Sequence, residues 1–95
     1  MSTFRAQLVR RADGRWHLYV VLFGALVSQW PEHRFARGPV PTRAERSRVL
    51  TGLGYELVPG AEWVWTEDGE RPGDDTSAVR LIAATAVRSR QGAAS

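Results

Sequence analysis

Few side chains in this sequence could move a proton, hold a metal ion or attack a bond. His17 and His33 are its two histidines, and the carboxylates nearest to them along the chain are Asp13 and Glu32. Acid–base or nucleophilic chemistry needs such groups to converge on one reacting atom. Glu32 and His33 are adjacent, and neighbouring side chains of an extended segment point apart, so a surface or rim role is expected for both. The stretch from Glu67 to Asp75 holds five carboxylates, which suits calcium by ligand type. It lacks the ordered one-residue spacing of an EF-hand loop and contains Arg71, so a solvated loop is expected instead. Cysteine is absent, which excludes disulfides, thiolate-bound zinc and a thiol nucleophile. Neither a G-x-S-x-G elbow nor a glycine-rich phosphate loop occurs. The expectation is a protein that is not an enzyme, with no cofactor and no metal.

The arginines remain. All 13 basic residues are arginine. Residues 1–48 carry nine of them against three acids, and residues 49–95 carry four against seven, within a net charge of +3. A basic front half suits the steering of an acidic partner. Arg5, Arg11 and Arg15 fall on the first predicted hairpin, and Arg43 and Arg46 in the first turns of the predicted helix. Cations there oppose the helix macrodipole by about 0.3–1 kcal/mol, and a phosphate backbone would offset that. A three-stranded sheet followed by a helix, with Arg and Trp on one face, is one way into a DNA major groove. A DNA-binding accessory protein is therefore one expectation. Against it, Leu18, Val20, Leu22 and Val27 are expected on the same face as Trp16, where they make an apolar patch rimmed by arginine. Such a patch is a protein–protein surface. A small binding or adaptor protein, joined to a protein partner or a second copy, is the first expectation.

Those side chains need elements to hold them. Phe4 to Arg11 alternates apolar and polar residues, the period of a strand, and Asp13-Gly14 is the two-residue signal of a type I′ hairpin. Closing that turn pairs Ala12 with Arg15, Leu8 with Tyr19, Ala6 with Val21 and Phe4 with Phe23. The other face then pairs Arg11 with Trp16, Val9 with Leu18 and Gln7 with Val20. Gly24-Ala25 is expected to turn the chain again, so that Leu26 to Trp30 forms a third strand ended by Pro31. Strand two is then central, and Trp30 lies by Tyr19 against the helix. Thr42-Arg43-Ala44-Glu45 is a capping box, which predicts a helix over about 43–53 stopped by Gly54. Val49, Leu50 and Leu53 form its apolar stripe, with the Arg46 stem at the margin. Tyr55–Val58 and Glu62–Thr66 are strand candidates, as one bent strand or a hairpin, and residues 67–77 a loop. Ala78–Arg88 is a last long strand. The fold expected is α+β, an antiparallel sheet in β-β-β-α-β-β order with one helix packed on one face.

Ninety-five residues make one domain, expected over 1–88, with 89–95 as a flexible tail. The longest apolar run, Leu18–Val27, is about half a membrane span, so a cytoplasmic protein without membrane contact is expected. Trp30-Pro31-Glu32, the capping segment, Leu53-Gly54-Tyr55 and the run Pro59-Gly60-Ala61-x-Trp63-x-Trp65-Thr66-Glu67-Asp68 resemble a family of small actinobacterial proteins. That resemblance covers Phe4 to Val87, carries no activity and transfers no functional residues; on their own pattern Trp30, Pro31, Trp63 and Trp65 are expected to be structural. Ser28-x-Trp30-Pro31 and Arg43-Ala44-Glu45 also resemble parts of the MbtH-like pattern, that of small β-β-β-α partners of adenylation domains. It implies Ser28 and Trp30 as contact residues, although the second tryptophan of that pattern is missing here.

Overall fold

A computed structural model of the chain describes residues 2–69, 71 and 73–90. Its elements are β1 (Phe4–Arg10), β2 (Trp16–Val21), β3 (Glu32–Arg34), α1 (Arg43–Leu53), β4 (Tyr55–Leu57), β5 (Val64–Gly69) and β6 (Val79–Ser89), with a 3₁₀ turn at Val27–Gln29. The fold is α+β: one antiparallel sheet in the order β3-β2-β1-β6-β4, with β5 also beside β6. The expected loop at 67–77 begins later, because β5 runs on to Gly69. Of the expected tail, Ser89 ends β6 and Arg90 donates its backbone N–H to Gly54 O at 3.0 Å. Residues 91–95 lie outside the described residues. Among the described residues, no helix is long and apolar enough to cross a membrane.

The helix is set locally. Thr42 Oγ1 accepts the Glu45 N–H at 3.1 Å, and Glu45 Oε1 accepts the Thr42 N–H at 3.0 Å, the reciprocal bonds of a capping box. These backbone and side-chain bonds to Thr42 hold the Glu45 carboxyl below its ordinary pKa. At the other end the Gly54 N–H donates to the carbonyls of Leu50 and Thr51.

The first hairpin differs from expectation by one residue. Arg11 N–H donates to Arg15 O at 3.0 Å and Gly14 N–H to Arg11 O at 2.9 Å, so three residues, Ala12-Asp13-Gly14, form the loop. A type I′ turn would need positive φ at Asp13 as well as at Gly14. Here Gly14 alone has it, at 78°, and the Asp13 carboxylate accepts the Arg15 N–H at 2.9 Å. One residue of register turns every side chain of a strand to the other face. Leu8 therefore pairs with Leu18, Ala6 with Val20 and Arg10 with Trp16. Across the other edge of β1, Leu8 pairs with Ala83 and Phe4 with Val87.

That register makes one face of the sheet continuous and apolar. Ala6, Leu8, Trp16, Leu18, Val20, Ala83 and Val87 are buried in one cluster with Leu50 of α1. The patch expected to be a protein interface is thus largely the core: Trp16, Leu18 and Val20 are buried and Leu22 is half-buried against them. Val27 alone of that set stays exposed, on the 3₁₀ turn.

The expected third strand at 26–30 is also corrected. Gly24 takes a φ of 84° and Ala25 N–H bonds Leu22 O at 3.3 Å, a turn that leads into the 3₁₀ segment rather than a hairpin. The strand beside β2 lies after Pro31, pairing Leu18 with His33 and Tyr19 with Glu32. The central strands are consequently β1 and β6, with β2 next to the short edge strand β3. The two candidate strands after the helix form neither one bent strand nor a hairpin. They pair with different stretches of β6, β4 near Ser89–Val87 and β5 along Ala84–Val79.

Candidate functional site: the open face of the sheet

Because α1 packs on the face of Leu8 and Leu18, the opposite face has no helix over it. Alternation along the paired strands puts Arg5, Gln7 and Val9 of β1 there. Beside them stand His17, Tyr19 and Val21 of β2, and Glu32 and Arg34 of β3. From β6 come Arg80, Ile82, Ala84 and Ala86. Arg11 and Arg15 close the hairpin at its end.

Tyr19 is the centre of this face. Its ring stacks on Trp30, with centroids 5.9 Å apart and planes 21° apart, and the Arg11 guanidinium lies 5.6 Å from its centroid. Its hydroxyl donates to Gln7 Oε1. Burial raises the phenol above its ordinary pKa, opposed by the positive charges of Arg11, Arg80 and Arg5. The expected neighbourhood of Trp30 and Tyr19 exists, but on the open face and away from the helix stripe. Trp30 is held there by its indole N–H, which donates to Leu22 O at 3.0 Å. The expected Arg11–Trp16 pair does not form, since the register puts those residues on opposite faces.

His17 fixes the floor of the face. It is only 7% exposed, and both ring nitrogens meet carboxylates: Nδ1 lies 2.6 Å from Glu32 Oε2 and Nε2 3.1 Å from Asp13 Oδ2. The Asp13 carboxyl is held below its ordinary pKa chiefly by the Arg15 backbone N–H, with burial opposing and the His17 bond assisting. The two acids flank opposite sides of the ring, so they cannot share one metal ion with it. Among the described residues no three His, Asp or Glu side chains are placed to hold a metal. His33 stands apart, edge-on to Phe35 at 4.7 Å between centroids.

The arginines divide by face. Arg5, Arg11, Arg15, Arg34 and Arg80 make no ion pair within 4 Å among the described residues, where the recorded pairs are those of His17, Arg71–Asp74 and Arg88–Glu56. Arg43 and Arg46, expected to act with the first three, sit on α1 behind the sheet. Arg46 is buried, its Nε donating to Pro41 O at 2.9 Å and its guanidinium 4.9 Å from the Trp63 ring and 5.9 Å from that of Trp65. Burial pushes its pKa down. Trp65 in turn meets Trp16 edge-on at 5.9 Å. A sheet-and-helix approach to one DNA groove is therefore not available to these five residues together. Arg34 and Arg80 were missed as members of the site. Arg80 had a signal, its alternation with Ile82 and Ala84; Arg34 had none once the third strand was placed at 26–30.

These features define a small single-sheet α+β protein with one helix-covered face and one basic, aromatic face left open. The chain belongs to a family of unknown function, DUF6303, whose model matches residues 2–95. No curated protein and no solved structure matches it.

Proposed function

We propose that the protein is a non-enzymatic binding module that holds a single-stranded nucleic acid along its open sheet face, in the cytoplasm. The observation that carries this reading is the set of five arginines on and beside the open face that make no ion pair within 4 Å among the described residues. Arg11, Arg80 and Arg5 are near enough to act on Tyr19 of the stacked Tyr19–Trp30 pair. Grooves that track a single strand combine cations for the phosphates with aromatic rings on which bases stack. Arg5 lies near the start of β1 and Arg11 just past its end, six residues on, about 20 Å at ~3.3 Å per residue, so these charges are spread along the face rather than gathered at a point. The test is anisotropy of short labelled DNA and RNA strands, and of the corresponding duplex, from about 50 to about 200 mM salt. Single-strand binding should weaken with a log–log slope of about −0.7 per phosphate contacted. Changing Arg5 and Arg34 together to Gln should flatten the slope by about one unit or slightly more. Absence of binding at low salt, or an unchanged slope, would overturn the reading.

A protein partner is the second reading, and a different surface favours it. Phe23 is 91% exposed, with Leu26 at 69% and Val27 at 66% on the same connection. Exposed apolar side chains so close together suit a docking edge, and Ser28 and Trp30, the residues implied by the MbtH-like resemblance, adjoin them. Phe23→Asp should abolish any self-association seen by light scattering while leaving oligonucleotide binding intact.

A further inference from the structure

The seam between the two central strands does not stay closed. β1 and β6 are paired from Phe4–Val87 to Val9–Ile82. Beyond that point β6 continues to Val79 alongside β5, while β1 turns into the hairpin. The strands diverge and leave a cleft of about 850 Å³ at that end of the sheet, lined by residues of both faces. Among the described residues, Arg10, Arg11 and Arg80 line it, with Asp13 as the one carboxylate. Asp13 is already engaged by the Arg15 N–H and by His17. None of the three arginines has an ion pair or a side-chain hydrogen bond among the described residues, and Arg80 Nε is buried without a partner. Among its described lining residues the cleft thus has two positive charges in excess, and guanidinium donors without a hydrogen-bond partner. Its other walls are apolar: Val79 and Leu81 are exposed, and the largely buried Trp16 also lines it.

We infer that this cleft binds a phosphomonoester, and, resting on the nucleic-acid reading above, that it seats the terminal phosphate of the bound strand. A terminal phosphate carries about −1.5 to −2 charges near neutral pH, against one for each internal phosphodiester, and so matches the excess of two. Guanidinium groups bond phosphate oxygens through paired N–H donors. The apolar wall of Val79 and Leu81 lies where the adjoining sugar and base would rest. Arg10 projects on the far side of β1 from Tyr19, next to its pair partner Trp16, so it serves the cleft without being part of the open face.

That placement makes Arg10 the discriminating residue. One oligonucleotide sequence would be compared in three forms, 5′-phosphorylated, 3′-phosphorylated and unphosphorylated, against the native protein and the exposed-site variant Arg10→Gln, with thermal melts to verify folding. One phosphorylated form should bind the native protein about tenfold more tightly than the unphosphorylated form. Arg10→Gln should lose that gain and keep its affinity for the unphosphorylated strand. Equal affinities for all three forms, or a gain that survives in Arg10→Gln, would overturn the cleft assignment while leaving strand binding in place. Should no strand bind, the strand reading fails and calorimetry with a nucleoside monophosphate decides the cleft alone. Heat of binding that disappears in Arg10→Gln would uphold a phosphoryl seat, and no heat would end it.

Discussion

The two faces of this sheet are built from the same strands and held by different physics. On the covered face, Leu8, Leu18, Val20 and Val87 meet Leu50 of α1 with no exposed surface left to speak of. On the open face Val9 is buried, the other rings and aliphatic groups are half-buried between charged side chains, and His17, also buried, is bonded at both nitrogens. The first face answers to volume and dryness. The second answers to charge. The same comparison explains why arginine appears on both sides with opposite roles: Arg46 is fixed beneath two tryptophans, whereas Arg5 and Arg34 remain exposed.

The largest expected effect tests the covered face. Leu18→Ala should cost about 2–5 kcal/mol, the range for emptying a fully buried leucine site, and Leu18→Glu should leave no folded monomer, because an unpaired carboxylate would be forced into the core. Circular dichroism melts measure both. A folded Leu18→Glu variant with altered self-association would restore the patch to the surface and invalidate the register described above.

A smaller loss should come from the junction of the faces. His17→Phe keeps the ring and removes both carboxylate bonds; hydrogen bonds to charged groups contribute about 1.5–3 kcal/mol when buried. Asp13 and Glu32 are each about two-fifths exposed and can be rehydrated, so the expected cost is nearer 1–2 kcal/mol. Acid sharpens this. The Asp13 carboxyl is held below its ordinary pKa in the folded protein. Its contribution is therefore complete above the unfolded carboxylate value and lost as pH falls through the lower folded one. Melts between about pH 5 and pH 2.5 should show a shallower acid decline for Asp13→Asn than for the native chain.

Helix and hairpin show what a sequence makes legible. The helix was readable to the residue because its signals are local: Thr42 and Glu45 bond each other's backbone, and Gly54 follows Leu53. The hairpin was found, but its register was not. Asp13-Gly14 fits two loops, and the choice of the longer one rests on Asp13 bonding Arg15 and on Leu8 meeting Leu18, a contact between strands. The third strand was misplaced because Leu18–Val27 is apolar throughout and has no period to mark where β2 stops. The open face was half legible as a cluster of arginines on the hairpin. Its other half, Arg34 and Arg80, arrives through pairing partners distant in the chain. Thr42→Ala, which removes only a local bond, should cost about 1 kcal/mol, less than either change above; a loss near zero would mean that the helix starts without its cap.

The smallest effect on stability belongs to the open face, and its smallness is the point of the comparison. Arg5 and Arg34 are exposed and lack ion pairs among the described residues. Changing both to Gln should therefore move the unfolding free energy by no more than about 0.5 kcal/mol, as for surface substitutions without special contacts. Arg34 is attracted by the Asp13 carboxylate while the arginines repel one another, so the two effects offset and any small change should vanish as salt screens both. Paired melts at about 20 mM and about 500 mM salt read this directly. The face proposed for binding is marked by charges that the fold is not expected to need. If the double variant instead unfolded easily at both salt concentrations, these arginines would be structural, and the contrast between the two faces, together with the ligand assigned to the open one, would fail.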